Sequence, residues 1–146
     1  MIPEIEITVK LKNKPAQLRK FSNSKDAYEV LNEIYQADNF EWQEVFIMLC
    51  LNRANKMIGF YKVSRGGVSG TVVDPKIIFT TCLNTPGTTS IIISHNHPSG
   101  NPLPSEADIT ITKKLKNGGS LLDIAVLDHI IFTDTEYYSF ADRGEM

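Results

Sequence analysis

The sequence predicts an α/β fold: a mixed central sheet with helices on both faces. Three observations carry this. Residues 45–51 are continuously apolar, and the run Ile91-Ile92-Ile93 lies within 89–94, as strands covered on both sides would be. Segments with apolar residues at helical spacing alternate with such runs along the chain. Breakers such as Pro86-Gly87 and Gly118-Gly119 punctuate the boundaries. Strands interleaved with helices, one hairpin among them, make a mixed sheet.

In chain order, residues 4–11 alternate strictly, with Ile5, Ile7, Val9 and Leu11 on one face, and predict a half-buried strand. Ser22-Asn23-Ser24 supplies capping chemistry, and Ala27, Val30, Leu31 and Ile34 predict an amphipathic helix over 25–36. The apolar run 45–51, a turn at 52–56 and a returning strand at 57–64 predict a hairpin. Gly66, Gly67 and Gly70 predict a bend before Thr71. Asp74-Pro75 is a helix start, with Asp74 as cap, and that helix runs to about Leu83. A buried strand at 89–94, a loop from Pro98 to Pro104, and a helix from Ser105 to Gly118-Gly119 follow. Residues 121–126 and 129–133 predict two strands or one bent strand.

The chain has 146 residues, which predicts one domain, with 1–40 as an N-terminal strand-helix extension. Hydrophobic residues at 42% and charged residues at 22% exclude a disordered chain. A net charge of −2 gives no global attraction to a polyanion. No apolar run is long enough to span a bilayer, and Met1-Ile2-Pro3-Glu4 does not read as a signal peptide, so a soluble, cytoplasmic protein with no membrane partner is expected. Cys50 and Cys82 are expected as reduced thiols packed in the interior.

The chemistry concentrates in Ser-His-Asn-His-Pro-Ser-Gly-Asn-Pro-Leu-Pro-Ser-Glu-Ala-Asp, residues 94–108. Side chains two apart on an extended segment point the same way, so His95 and His97 reach one ion together. Asp108 opens the next helix, and the Pro/Gly loop between folds its carboxylate back toward them. Two imidazoles and one carboxylate leave a fourth position open, the mark of a catalytic site. Zinc suits that set best; manganese, iron and nickel also accept it. A hydrolase needs a proton carrier beside the activated water. Glu44, at the entrance of the apolar run, is the candidate, with Glu41 its nearest rival; spacing does not decide between them.

Other residues have plainer explanations. Ser105-x-x-Asp108 also reads as a capping box, which accounts for both without chemistry. His129 is expected to hydrogen-bond near the site, with Asp128 or Asp123 as its partner, rather than to bind metal. Lys10, Lys12 and Lys14, with Arg19 and Lys20, read first as a solvated or edge-protecting face and only second as a nucleic-acid contact. Trp42 and Phe40 read as core or rim.

Glu44, His95-Asn96-His97, Ser105 and Asp108 together resemble the JAMM metalloprotease motif of JAB/MPN domains: Glu, then His-x-His, seven residues, Ser, two residues, Asp. The longer string His-Asn-His-Pro-Ser-Gly, with Leu-Asp-His-Ile-Ile at 127–131, resembles the RadC family of bacterial JAB-domain proteins. The resemblance implies a three-layer α/β/α fold related to cytidine deaminases. It implies zinc held by His95, His97 and Asp108, Glu44 as acid/base, and Ser105 stabilising an oxyanion. The implied activity is hydrolysis of peptide or isopeptide bonds in a protein or peptide substrate. A deaminase is not implied, because His-x-Glu and Pro-Cys-x-x-Cys are both absent. The alternative is a DNA repair or mobile-element accessory protein that binds nucleic acid or a repair partner. The residues before Glu44 read as a strand and a helix, not as the helix-hairpin-helix region of full-length RadC proteins, which weakens that alternative.

Overall fold

The first helix begins where its capping chemistry places it. Extended Asn23 accepts from the Asp26 amide at 3.1 Å, and Asp26 accepts from the Ser22 amide at 2.7 Å. Helix α1 (Ser24–Gln36) then buries Ala27, Val30, Leu31, Ile34 and Tyr35 on one stripe. The computed structural model describes residues 1–38, 41–66 and 72–146.

Strands β1 (Val45–Leu51) and β2 (Met57–Arg65) form the expected antiparallel hairpin. Strand β3 (Ser90–Asn96) pairs antiparallel with the other side of β1, in a register that sets Phe46 opposite His95. Strand β4 (Ala125–Phe132) runs parallel to β3, and β5 (Tyr137–Ser139) antiparallel to β4. The sheet order is β2-β1-β3-β4-β5, which puts the fully buried β1 and β3 away from both edges. The parallel β3–β4 pair requires a crossover, and α3 (Glu106–Leu121) supplies it.

The pleat divides β1 between two cores. Val45, Ile47, Leu49 and Leu51 pack with Ala27, Leu31 and Tyr35 of α1. Phe46, Met48 and Cys50 pack instead with Ile78 and Cys82 of α2 (Pro75–Asn84) and Leu115 of α3. Three layers result: one helix, the mixed sheet, two helices. Each fully buried aliphatic side chain contributes roughly 1.5–3 kcal/mol, so these two apolar clusters dominate the stability. Cys50 and Cys82 are free and buried, as expected.

Several expectations require correction. Residues 4–11 form no strand and are exposed throughout; Ile5 and Ile7 are 87% and 62% accessible. Their alternation is genuine, but among the described residues no strand offers them a ladder, and an unpaired strand is not stable in water. Leu11 does rest on the sheet, against Gly59 of β2, where an added Cβ would lie 3.0 Å from its Cδ2.

Helix α3 runs through Gly118 and Gly119 to Leu121 rather than stopping at them. Those glycines permit close packing: a Cβ at Gly119 would lie 2.3 Å from the Ile124 carbonyl oxygen. Asp123, with φ of 54°, makes the actual exit. Residues 125–132 form one strand, so the alternative of two strands at 121–126 and 129–133 falls. Its pairing with β3 carries a register shift at Ile91/Ile92, and that break interrupts the alternation that suggested two segments. The bend expected at Gly67 and Gly70, and Phe40, lie outside the described residues.

Candidate metal centre

The site forms where β3 leaves the sheet and α3 begins. The face that carries Ile91 and Ile93 continues into His95 and then His97. The His97 amide donates to the Phe132 carbonyl at 2.9 Å, which holds the strand's exit against β4. A turn follows, with Gly100 at φ 83° and its amide bonded to the His97 carbonyl at 3.0 Å. That turn returns the Asn101 carbonyl to within 2.7 Å of His97 Nδ1.

Helix α3 then starts on a capping box. Ser105 Oγ accepts from the Asp108 amide at 3.1 Å, and Asp108 Oδ2 accepts from the Ser105 amide at 2.8 Å. The same carboxylate faces the histidines: Oδ1 is 3.1 Å from His95 Nε2 and Oδ2 is 3.3 Å from His97 Nε2. The two Nε2 atoms are 2.9 Å apart. His95, His97 and Asp108 are the group among the described residues that offers three ligand atoms, all within 4.8 Å of one another.

The electrostatics follow from this crowding. Burial disfavours ionised Asp108, yet its contacts with His95 and His97 outweigh burial and hold the carboxyl well below the usual carboxylate range. Burial also works against charge on His97, but Asp108, the Asn101 carbonyl and the field of Glu44 together raise it above its ordinary value. Burial, reinforced by His95, keeps His129 far below its ordinary value and therefore neutral.

The β1–β3 register carries Glu44 toward the site. With Phe46 opposite His95, continuing the antiparallel pair by two residues brings Glu44 opposite His97. Glu44 also has the parity of Phe46 and Met48, the same sheet face as the two imidazoles. Its carbonyl accepts from the Gly66 amide at 2.8 Å. Glu41 lies in the preceding turn and is exposed. Asn96 points to the opposite face and grips the backbone on both sides of Glu44. Its Oδ1 accepts from the Val45 amide at 2.7 Å, and its Nδ2 donates to the Gln43 carbonyl at 2.9 Å.

His129 is fully buried and bonds His95 Nδ1 through Nε2 at 2.8 Å, so it is a neighbour of the ligand set. The partners expected for it were wrong. Its other nitrogen meets Thr112 Oγ1 at 2.6 Å, not Asp128 or Asp123. Asp128 is the adjacent residue on the strand and faces the other way. Its carboxylate takes the Ser139 hydroxyl and the amides of Ala141 and His129. Thr112 went unread in the sequence, although it stands one helical turn after Asp108 and so shares its face. Asn96 also went unread; a polar side chain on the buried face of a strand must find partners.

Trp42 is exposed rather than part of the core. Lys10, Lys12 and Lys14 line a groove beside β2 with Arg19, whose guanidinium is paired with Glu33 at 2.7 Å. No helix among the described residues is long and apolar enough to cross a membrane.

The model of the RadC-like JAB domain family matches residues 21–145. The chain belongs to that family. Among similar RadC-family proteins, a UPF0758 protein of Flavobacterium johnsoniae is 44% identical over 128 residues, covering 88% of this chain and 54% of the relative. One from Methanosarcina barkeri is 40% identical over 126 residues, 86% of this chain and 53% of its own length. One from Salinibacter ruber is 45% identical over 102 residues, 70% of this chain and 43% of its own length. The chain thus spans about half the length of the curated relatives it matches. The three helices and five-stranded mixed sheet of the described residues are consistent with a JAB-type α/β fold.

Proposed function

We propose that this chain is a zinc-dependent hydrolase that cleaves a peptide or isopeptide bond in a protein substrate. The observation that carries this reading is the convergence of His95 Nε2, His97 Nε2 and the Asp108 carboxylate on one point. His97 Nδ1 faces the Asn101 carbonyl at 2.7 Å, and a carbonyl has no hydrogen to give. Nδ1 therefore carries a hydrogen, and in the neutral ring Nε2 is the nitrogen that presents its lone pair to the site. With that lone pair beside the ionised Asp108 carboxylate, the three groups form a donor set suited to a divalent cation.

The spacing suits zinc. Tetrahedral bonds of about 2.0–2.1 Å put ligand atoms ~3.3 Å apart; here the two Nε2 atoms are 2.9 Å apart, and each lies 3.1 or 3.3 Å from a different oxygen of Asp108. When bound, the ion would polarise a substrate carbonyl and make water acidic near neutral pH.

The remaining roles belong to side chains. The Glu44 carboxylate, whose field reaches His97, accepts a proton from attacking water and returns it to the leaving amine nitrogen. Asn96 fixes the backbone that carries Glu44. The capping bond uses a lone pair of Ser105 Oγ and leaves its hydroxyl hydrogen to donate toward the oxyanion as charge develops there.

The test is metal analysis of protein purified without added metal, together with cleavage of peptide and isopeptide-linked peptide substrates. Glu44→Gln keeps the ion and loses turnover; His95→Ala and Asp108→Ala lose both. Protein that takes up no metal, or a Glu44→Gln variant as active as wild type, overturns the reading.

A further inference from the structure

We propose that Thr112 and His129 form a hydrogen-bond relay that fixes the tautomer of His95, so that Nε2 rather than Nδ1 is the nitrogen it offers to an ion. This rests on the metal reading above and concerns positioning residues, neither of which touches the ion.

The relay follows from counting hydrogens. Thr112 Oγ1 lies 2.6 Å from the Asp108 carbonyl oxygen. Two oxygens that close need a hydrogen between them, and the carbonyl has none. The single hydroxyl hydrogen of Thr112 is therefore committed to Asp108. Oγ1 also lies 2.6 Å from His129 Nδ1, so toward His129 it can only accept. Nδ1 of His129 must carry the hydrogen. The ring is fully buried, and its polar contacts are a hydroxyl and another imidazole, with no carboxylate to stabilise a second proton. A neutral ring with hydrogen on Nδ1 has a bare Nε2. That Nε2 faces His95 Nδ1 at 2.8 Å, so His95 must donate from Nδ1. Its Nε2, 3.1 Å from Asp108, is left bare.

Packing fixes the ring planes that this requires. His129 stacks on Phe140 at 4.9 Å with an interplanar angle of 10°, and His95 stacks on Phe46 at 5.9 Å and 5°. Thr112, His129 and His95 are each at most 2% exposed. Helix α3 thereby supplies both ends of the arrangement, Asp108 at the ion's position and Thr112 one turn later at the start of the relay. Reversing the Thr112 hydroxyl would reverse every donor in the chain and put a hydrogen on His95 Nε2, where an ion must bind.

The experiment combines nitrogen-detected NMR of the histidines with zinc titration of the full chain. In zinc-loaded wild type, His129 and His95 are expected as Nδ1–H tautomers, with zinc on His95 Nε2. Thr112→Val, close in shape but without the hydroxyl, should weaken zinc binding about 10- to 100-fold. Thr112→Ser should restore it to within a few-fold. Zinc uptake unchanged in a folded Thr112→Val protein, or hydrogen found on His129 Nε2 in wild type, overturns the relay alone. If Thr112→Val does not fold, the wild-type spectrum still decides. Wild-type protein that takes up no zinc removes the metal reading and the relay together.

Discussion

Asp108 Oδ2 lies 2.8 Å from the Ser105 amide and 3.3 Å from His97 Nε2, so one oxygen both closes a helix cap and faces the candidate metal centre. The cap and the ligand are not rival explanations of Asp108. The capping box orients the carboxylate, and the start of α3 is thereby tied to the site.

That coupling makes the role of Ser105 separable. Ser105→Ala removes the cap and should cost roughly 1 kcal/mol of stability. Ser105→Asn keeps a capping oxygen and should restore most of that loss. If Ser105 Oγ also donates to the oxyanion, turnover stays depressed in Ser105→Asn while stability returns. Denaturant titration read beside kcat distinguishes the two; recovery of both makes Ser105 a cap only.

Asn96 predicts a second effect. Replacing it with Ala leaves the Val45 amide and Gln43 carbonyl without their present partner, a destabilisation on the order of 2–4 kcal/mol for two such groups. The two released backbone groups flank Glu44, so kcat should fall while zinc affinity changes little. Urea unfolding and zinc titration of the same sample check both halves.

Gly119 predicts a packing failure. A Cβ there would meet the Ile124 carbonyl oxygen at 2.3 Å, and backbone cannot swing aside as a side chain can. Gly119→Ala should destabilise by about 1–3 kcal/mol or prevent folding. Gly118→Ala meets only the Phe79 ring, at 3.0 Å, and should cost less. Thermal unfolding ranks the pair.

The buried thiols predict an alkaline limit. Burial pushes Cys50 up to about 11 and Cys82 up to about 12. In the unfolded chain both ionise near their ordinary value, so above it the unfolded state binds fewer protons than the folded one. Stability contributed by the neutral thiols is therefore present below pH ~8.5 and lost as pH rises toward the folded values. Unfolding free energy measured from pH 8 to 11 should fall, and less steeply in Cys50→Ala. In the native state at pH 8, both thiols should resist alkylation.

Most of the layering was legible in the sequence because it is written in local periodicity. The apolar run at β1, the stripe of α1, and the Asn23, Asp74 and Ser105 caps each concern residues a few positions apart. What misled was a local pattern whose outcome depended on distant residues. Ile5, Ile7, Val9 and Leu11 carry a strand's alternation, yet a strand exists only by pairing, and the sequence does not say whether a partner edge lies alongside.

The sequence by itself determined the two imidazoles on one face of a strand and a carboxylate at the start of the following helix, because strand parity and helix capping are short-range rules. Only the tertiary structure decided that Phe46 stands opposite His95, the register that carries Glu44 toward that face, and that Thr112 rather than Asp128 stands behind the His129 ring. Those answers depend on the β1–β3 register and on how α3 lies across β4. Both are set by the packing of side chains far apart in the chain, where no local spacing rule reaches.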